Sequence, residues 1–174
     1  VNRNFTIGSN STLNVNGALV NGQAVSWPSH NTASITKSGA GTLVLAGANT
    51  YTGNTTISAG TLEITGTLGA SASYAGTISN SGTLTFNSSS NQTLTGSVTG
   101  SGTWNKSGSG RLTTSASNSH NGTININDGT LRITSTGGSS SMTVNVLSGG
   151  TLDLDDKNFN ASSRTITLEG RGDG

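Results

Sequence analysis

Short apolar stretches alternate with runs of Gly, Ser, Thr and Asn, and one five-residue pattern recurs along the chain. The pattern is Gly-Thr-Leu-x-aliphatic, in which the leucine and the residue two places later lie on the same face of a β-strand. The structural repeat positions are Gly41, Leu43, Gly60, Leu62, Gly82, Leu84, Gly110, Leu112, Gly129, Leu131, Gly150 and Leu152. A second short alternating stretch precedes most of these units, as in Thr-Thr-Ile57 and Thr-Ile-Asn-Ile126. The pattern therefore predicts many short strands and no helix.

A longer repeat also divides the chain. Residues 35–64 align without a gap on residues 104–133, at a constant offset of 69, and twelve of the thirty aligned positions are identical. A unit that cannot bury its own inner face gains a core by stacking on its neighbours. We therefore predict an all-β solenoid of about eight coils, each of about 19–23 residues, as a single domain spanning 1–174. An antiparallel sandwich of the same strands is the alternative, but hairpins do not require such a duplication.

The composition of the 174 residues excludes several classes of protein. Only 29% of the residues are hydrophobic and 9% are charged, the formal net charge is +1, and Cys is absent. No apolar run approaches the roughly 18 residues of a membrane-spanning helix. The few scattered cations do not form a nucleic-acid footprint. Disulfides and thiolate metal sites are excluded because there is no Cys.

Residues 37–64 carry a Gly-x-Gly-Thr-Leu strand, an Asn-x-Tyr-x-Gly turn and a second Gly-Thr-Leu strand. This order resembles the passenger-associated strand repeat of bacterial autotransporters. Residues 106–133 keep the frame, with His120 in place of Tyr51. The resemblance implies a right-handed parallel β-helix that is exported and displayed outside a Gram-negative type of cell. It implies architecture rather than activity, because fold does not specify function.

These observations favour a non-catalytic, extracellular structural module of a bacterial surface protein, used as a stalk or adhesin scaffold. One alternative is a subunit of a self-assembling fibre that stacks end to end. Another is a carbohydrate-binding or carbohydrate-active β-helix, for which Trp27, Tyr51 and Tyr74, expected on the surface, are the candidate sugar-stacking aromatics. The expected partners are neighbouring copies or the rest of a longer solenoid, or a surface glycan or protein of host or bacterium. We expect no cofactor, no nucleic acid and no membrane insertion of this segment.

Charged residues offer few candidates for chemistry. Asp153, Asp155 and Asp156 form the one acidic cluster, with Lys157 beside them, and are a candidate calcium site or a solvated strand end. Arg132 and Asp153 occupy the same position of successive repeat units, so we expect them to be neighbours on the outer face.

Three further motifs have a structural interpretation and a functional one. His30 and His120 read as turn residues rather than as members of a catalytic triad. Arg171, Gly172 and Asp173 spell a cell-adhesion tripeptide, although the glycines on either side of Arg171 already fit the turn of the repeat. Outward threonines resemble the arrays of ice-binding solenoids. The outward residue after each leucine changes, however, and this irregularity argues against ice binding; the residues are Val44, Glu63, Thr85, Thr113, Arg132 and Asp153.

Overall fold

The computed structural model describes residues 2–22, 32–135, 141–155 and 165–169. These residues form short β-strands and no helix. The strands of the first half are β1 (Asn2–Thr6), β2 (Thr12–Val15), β3 (Ser34–Ser38), β4 (Thr42–Leu45), β5 (Ala48–Asn49), β6 (Thr55–Ile57), β7 (Thr61–Ile64), β8 (Thr67–Leu68), β9 (Ser73–Tyr74), β10 (Ile78–Asn80) and β11 (Thr83–Phe86). Those of the second half are β12 (Gln92–Leu94), β13 (Val98–Gly100), β14 (Thr103–Lys106), β15 (Arg111–Thr114), β16 (Ser119–His120), β17 (Thr123–Ile126), β18 (Gly129–Ile133), β19 (Thr143–Val146), β20 (Gly150–Asp153) and β21 (Thr165–Leu168).

The strands stack in register into three parallel sheets that run along a solenoid. The first sheet has the order β1-β3-β6-β10-β13-β16, and the second has the order β2-β4-β7-β11-β14-β17-β19-β21. The third sheet has the order β20-β18-β15-β12-β9, and β5 pairs with β8 at a corner of the early coils. Each pairing joins strands of successive coils, which is the geometry of a β-solenoid. The prediction of a solenoid is confirmed, and the antiparallel sandwich is excluded because these pairings are parallel.

The core is a set of ladders, because alternate residues of every strand face inward. Burial follows this alternation in the second sheet, where strands such as β4, β7 and β11 have buried residues at their second and fourth positions. The first inward ladder of that sheet consists of Leu13, Leu43, Leu62, Leu84, Trp104, Ile124, Val144 and Ile166. Burying each such aliphatic side chain stabilises the fold by about 1.5–3 kcal/mol, and stacking is what makes that burial complete.

The described residues form about six turns rather than the predicted eight: the second sheet has eight strands, but the first has six. The prediction treated the whole chain as regular coils. In the structure the first coil is longer, because Thr12 pairs with Thr42. After β16, the described strands belong to the second and third sheets alone, so the last coils lack a described strand in the first sheet.

The two copies of the long repeat lie on different sheets. In the first copy, β3 belongs to the first sheet and β4 to the second; their counterparts β14 and β15 belong to the second and third sheets. Between the copies the chain makes three coils and then advances by one further sheet. The same repeat can form strands of either pair of sheets, because strands of all three sheets have the same alternation of inward and outward residues. None of the described residues belongs to a helix that is long and apolar enough to cross a membrane.

Candidate functional site

A buried lysine occupies the equivalent position, at the turn between two strands, in both copies of the repeat. The Lys37 ammonium donates hydrogen bonds to the carbonyl oxygens of Ser38 at 2.9 Å, Gly39 at 2.8 Å and Ala59 at 3.1 Å. Ala59 lies in the next coil, so the lysine ties the turns of two coils together. Burial lowers the pKa of Lys37 below its ordinary value. Three carbonyl partners compensate for removing the ammonium from water.

Lys106 repeats this arrangement at the corner between the second and third sheets. Its ammonium donates to the carbonyl oxygen of Gly108 and, at 3.0 Å, to that of Asp128 in the next coil. Burial lowers the pKa of Lys106, and the nearby Asp128 carboxylate partly opposes that shift. Both lysines therefore tie the turns of successive coils together.

Arg132 contacts two carboxylates of the acidic cluster, those of Asp153 and Asp155. Arg132 pairs with Asp153 across adjacent strands, as the repeat register predicts, with 3.5 Å between Nε and Oδ2. The Arg132 guanidinium also contacts the Asp155 carboxylate, and the Asp155 amide donates to Asp153 Oδ1 at 2.9 Å. No group of three or more metal-ligating side chains occurs among the described residues. Asp156 and Lys157, the other members of the predicted cluster, lie outside the described residues.

Two of the three aromatic candidates for sugar stacking, Tyr51 and Tyr74, are buried. Tyr51 and Tyr74 are 0% and 1% exposed, and their ring centroids are 5.3 Å apart. The Thr55 hydroxyl lies between their hydroxyls at 2.8 and 2.7 Å, and Tyr74 also donates to the carbonyl oxygen of Gly53. The assignment of these tyrosines to the surface is therefore wrong, because both rings fill the core beside the first sheet. Trp27 lies outside the described residues.

His120 occupies the repeat position of Tyr51 and is also buried. It lies in β16 rather than in a turn, and its ring meets Trp104 edge-on with centroids 6.1 Å apart. Neither ring nitrogen has a hydrogen-bond partner, and the Trp104 indole nitrogen has none. Burial lowers the pKa of His120, while the nearby backbone of Thr123 and Thr99 acts in the opposite direction. The imidazole is enclosed in the core, where no substrate reaches it. His30 lies outside the described residues.

The outward threonines form an unbroken ladder along the outside of the second sheet, where the sequence had been interpreted as an irregular face. All eight strands place a threonine at the same outward position and in direct register; the residues are Thr12, Thr42, Thr61, Thr83, Thr103, Thr123, Thr143 and Thr165. The neighbouring outward column consists of Asn14, Val44, Glu63, Thr85, Asn105, Asn125, Asn145 and Thr167. We call the first column the threonine ladder.

Part of the irregularity that argued against an ordered outer face came from placing residues of two different sheets in one column. Gly-Thr-Leu units of the first half lie on the second sheet, whereas those beginning at Gly110, Gly129 and Gly150 lie on the third. Thr113, Arg132 and Asp153 therefore belong to a different face from Val44 and the residues stacked on it. The Thr-Leu and Thr-Ile alternation of each strand signalled the ladder, but the signal required the correct sheet for each strand.

Two sets of candidate residues remain, and only the second of them lies among the described residues. The adhesion tripeptide Arg171, Gly172 and Asp173 lies outside the described residues. The leucines of the repeat positions are in the core: Leu43, Leu62, Leu84, Leu112 and Leu131 are buried, and Leu152 packs against them half-buried.

The comparison with protein families agrees with this architecture. Residues 35–64 and 105–133 match the passenger-associated-transport-repeat, at nearly the positions of the two copies described above. No curated protein and no solved structure matches the chain. The chain is thus a β-solenoid that contains two passenger-associated-transport-repeats, the repeat type of autotransporter passengers.

Proposed function

We propose that this chain is a non-catalytic structural β-solenoid of an exported bacterial surface protein, where it serves as a stalk or adhesin scaffold. The observation that supports the proposal most directly is the stack of in-register sheets around continuous inward ladders. Such a stack holds a fixed length, since each coil is hydrogen-bonded to the coils on either side of it. The passenger repeats support export to the cell surface.

The use of the reactive side chains also supports a structural role. The carboxylates of Asp153 and Asp155 both contact Arg132. His120 is enclosed beside Trp104, and Lys37 holds turn carbonyls. Each of these groups already has a place in the fold, so none is left for acid–base work on a substrate.

A stalk depends on register rather than on any single coil, which suggests a deletion test. Removing 103–122 takes out one coil and brings Thr123 to the place of Thr103, its own pairing partner. Removing 103–112 instead cuts a coil in half and breaks the alternation between sheets. Both deletions are made in the chain displayed on cells through an autotransporter translocator, with an epitope at its distal end.

We expect antibody labelling of intact cells to persist after the one-coil deletion and to be lost after the half-coil deletion. Total expression, measured by immunoblot, is the control for both. Loss of labelling after the one-coil deletion, in a protein that still folds by circular dichroism, would contradict a role that rests on the solenoid alone.

Assembly into an end-to-end fibre is a second candidate function, and the end strands of the second sheet favour it. Leu13 in β2 is 39% exposed, and Leu168 in β21 is 70% exposed, whereas Leu43 in the next coil is fully buried. Among the described residues no strand pairs with the outer side of β2 or β21, and the backbone groups of such an edge can pair with a further parallel strand. A second copy offers such a strand in the same alternation.

Sedimentation velocity over a wide concentration range distinguishes the two functions. A fibre subunit grows into long species with concentration, and Leu13→Lys blocks that growth by placing a charge in the new core. The matched control is Val20→Lys, an exposed apolar residue outside the strands. A monomer at every concentration rules out the fibre and leaves the stalk.

A further inference from the structure

The outer face of the second sheet is uncharged and regular over its last five strands, from β11 to β21. In each strand the threonine ladder contributes one residue; these are Thr83, Thr103, Thr123, Thr143 and Thr165. The second column contributes Thr85, Asn105, Asn125, Asn145 and Thr167. None of these ten residues is charged, and the pairing continues residue for residue, so the two columns form a lattice without an offset.

The hydroxyls of the threonine ladder are available to an external partner. All eight threonines are half-buried or exposed, and no hydrogen bond within the described residues uses any of their hydroxyls. A β-branched side chain is stiff at χ1, so each hydroxyl and methyl group holds a defined position. Each hydroxyl supplies one donor and two acceptor lone pairs.

The second column is fixed by its own hydrogen bonds. Asn145 Nδ2 donates to Asn125 Oδ1 at 2.9 Å, and Asn125 Nδ2 donates to Asn105 Oδ1 at 2.9 Å. Asn105 Nδ2 continues the chain to the Thr85 hydroxyl at 3.4 Å. Each amide therefore keeps one N–H and at least one acceptor lone pair for an outside partner. These groups are ordered before anything binds, so little side-chain entropy remains to be lost.

We propose that this face binds the surface of ice. Its polar groups recur about every 4.8 Å along the solenoid and about every 6.7 Å along each strand. Ice presents rows of water oxygens at intervals close to the first of these. A neutral lattice of alternating donors and acceptors complements a neutral face of hydroxyls and amides, while the threonine methyl groups exclude disordered water. Each contact is weak, but the rigid array makes the contacts act together.

The ice assignment does not depend on the stalk function and is tested on the purified 174-residue chain. A single ice crystal is held in a solution of the protein, and its shape and growth are followed during slow cooling below the melting point. The test variant is Thr123→Lys, at the centre of the lattice. The matched control is Thr56→Lys, an outward threonine between Thr36 and Ser79 on the first sheet.

We expect the native chain and Thr56→Lys to facet the crystal and halt its growth, and Thr123→Lys to lose both effects, since a long charged side chain lifts the face from a flat surface. Circular dichroism shows whether each variant is folded. If Thr123→Lys does not fold, Thr123→Val keeps the side-chain shape and removes only the hydroxyl, and it should weaken growth arrest.

Three results would overturn the proposal. The first is a native chain that leaves the crystal round and growing as buffer does. The second is an equal loss of activity in Thr56→Lys and Thr123→Lys. The third is binding to insoluble cellulose that Thr123→Lys abolishes, without any effect on ice; that result assigns the face to a neutral glycan.

Discussion

Single buried polar residues hold the corners of this solenoid, and Lys37 is the clearest of them. Its ammonium satisfies three backbone carbonyls in two coils. Lys37→Met keeps the length of the side chain but takes the donor from the carbonyls of Gly39 and Ala59. The Ser38 carbonyl still accepts from the Ile7 amide at 3.0 Å. We expect the free energy of unfolding to fall by about 3 kcal/mol, since each buried unsatisfied carbonyl costs about 1–3 kcal/mol. Urea unfolding measures the loss.

The control for Lys37→Met is Arg111→Met, which removes an exposed cation from β15. A surface substitution of this kind is expected to change the free energy of unfolding by no more than about 0.5 kcal/mol. If the two variants are equally stable, the corner lysine does not bridge the coils in the way described.

The second residue-scale prediction concerns acid. Burial lowers the pKa of His120 in the folded chain, so below the unfolded-state value of about 6.5 the unfolded chain binds more protons than the folded one. With respect to this group, the free energy of unfolding is therefore at its maximum above that value, and it decreases as the pH falls through it towards the folded pKa. Melting temperatures at pH 7.5 and 5.5 measure the decrease.

His120→Phe provides the comparison for the acid prediction, because a buried apolar ring in the same place does not titrate. We expect its melting temperature to depend less on pH over this range than that of the native chain. An equal dependence in both proteins would assign the acid sensitivity to other groups, such as the carboxylates that contact Arg132.

At the scale of elements, the turns are set by glycines whose backbone no other residue adopts easily. Gly60 has a φ of +66°, and a Cβ there would meet the carbonyl oxygens of Gly39 and Gly41 and lie 2.7 Å from Lys37 Nζ. Gly60→Ala should therefore destabilise the fold by about 2 kcal/mol or more. Gly17→Ala is the control, since no atom lies within 4 Å of its added Cβ. Thermal unfolding that does not separate the two variants would contradict this account of the turn.

The local sequence pattern predicted where strands occur, but it did not predict which sheet each strand joins. The alternation in Gly-Thr-Leu units predicted strands β4, β7, β11, β18 and β20 and the inward position of their leucines. It did not predict that β18 and β20 lie on a different sheet from β4, because strands of all three sheets have the same alternation of inward and outward residues. Only the strand pairing, such as Trp104 on Leu84, reveals the sheet.

The sheet to which each strand belongs also determines which outward residues are neighbours on the surface. The pairing of Arg132 with Asp153 was predictable because both strands belong to adjacent coils of the third sheet. The continuity of the threonine ladder was not, since the ladder crosses from Gly-Thr-Leu units to strands such as β14 and β17 that lack the leucine. Burial of Tyr51 and Tyr74 was also missed: a turn motif does not show which side of the chain faces the core.

At the scale of the whole molecule, the functional proposals depend on one feature of the second sheet. The second sheet is continuous from β2 to β21, and each coil advances by one strand spacing. This continuity gives a scaffold its fixed length, and it gives the threonine ladder its regularity. Because the chain contains no Cys, pairs of spin labels can be placed on the ladder without removing a native residue.

The most direct test is pulsed electron paramagnetic resonance on two doubly labelled chains, Thr42→Cys with Thr123→Cys and Thr42→Cys with Thr165→Cys. Counting strands at about 4.8 Å each predicts ladder separations of about 19 Å and about 29 Å. The two distributions should both be narrow and should differ by about 10 Å. Broad distributions, or two distances that do not increase with the number of coils between the labels, would contradict a continuous solenoid.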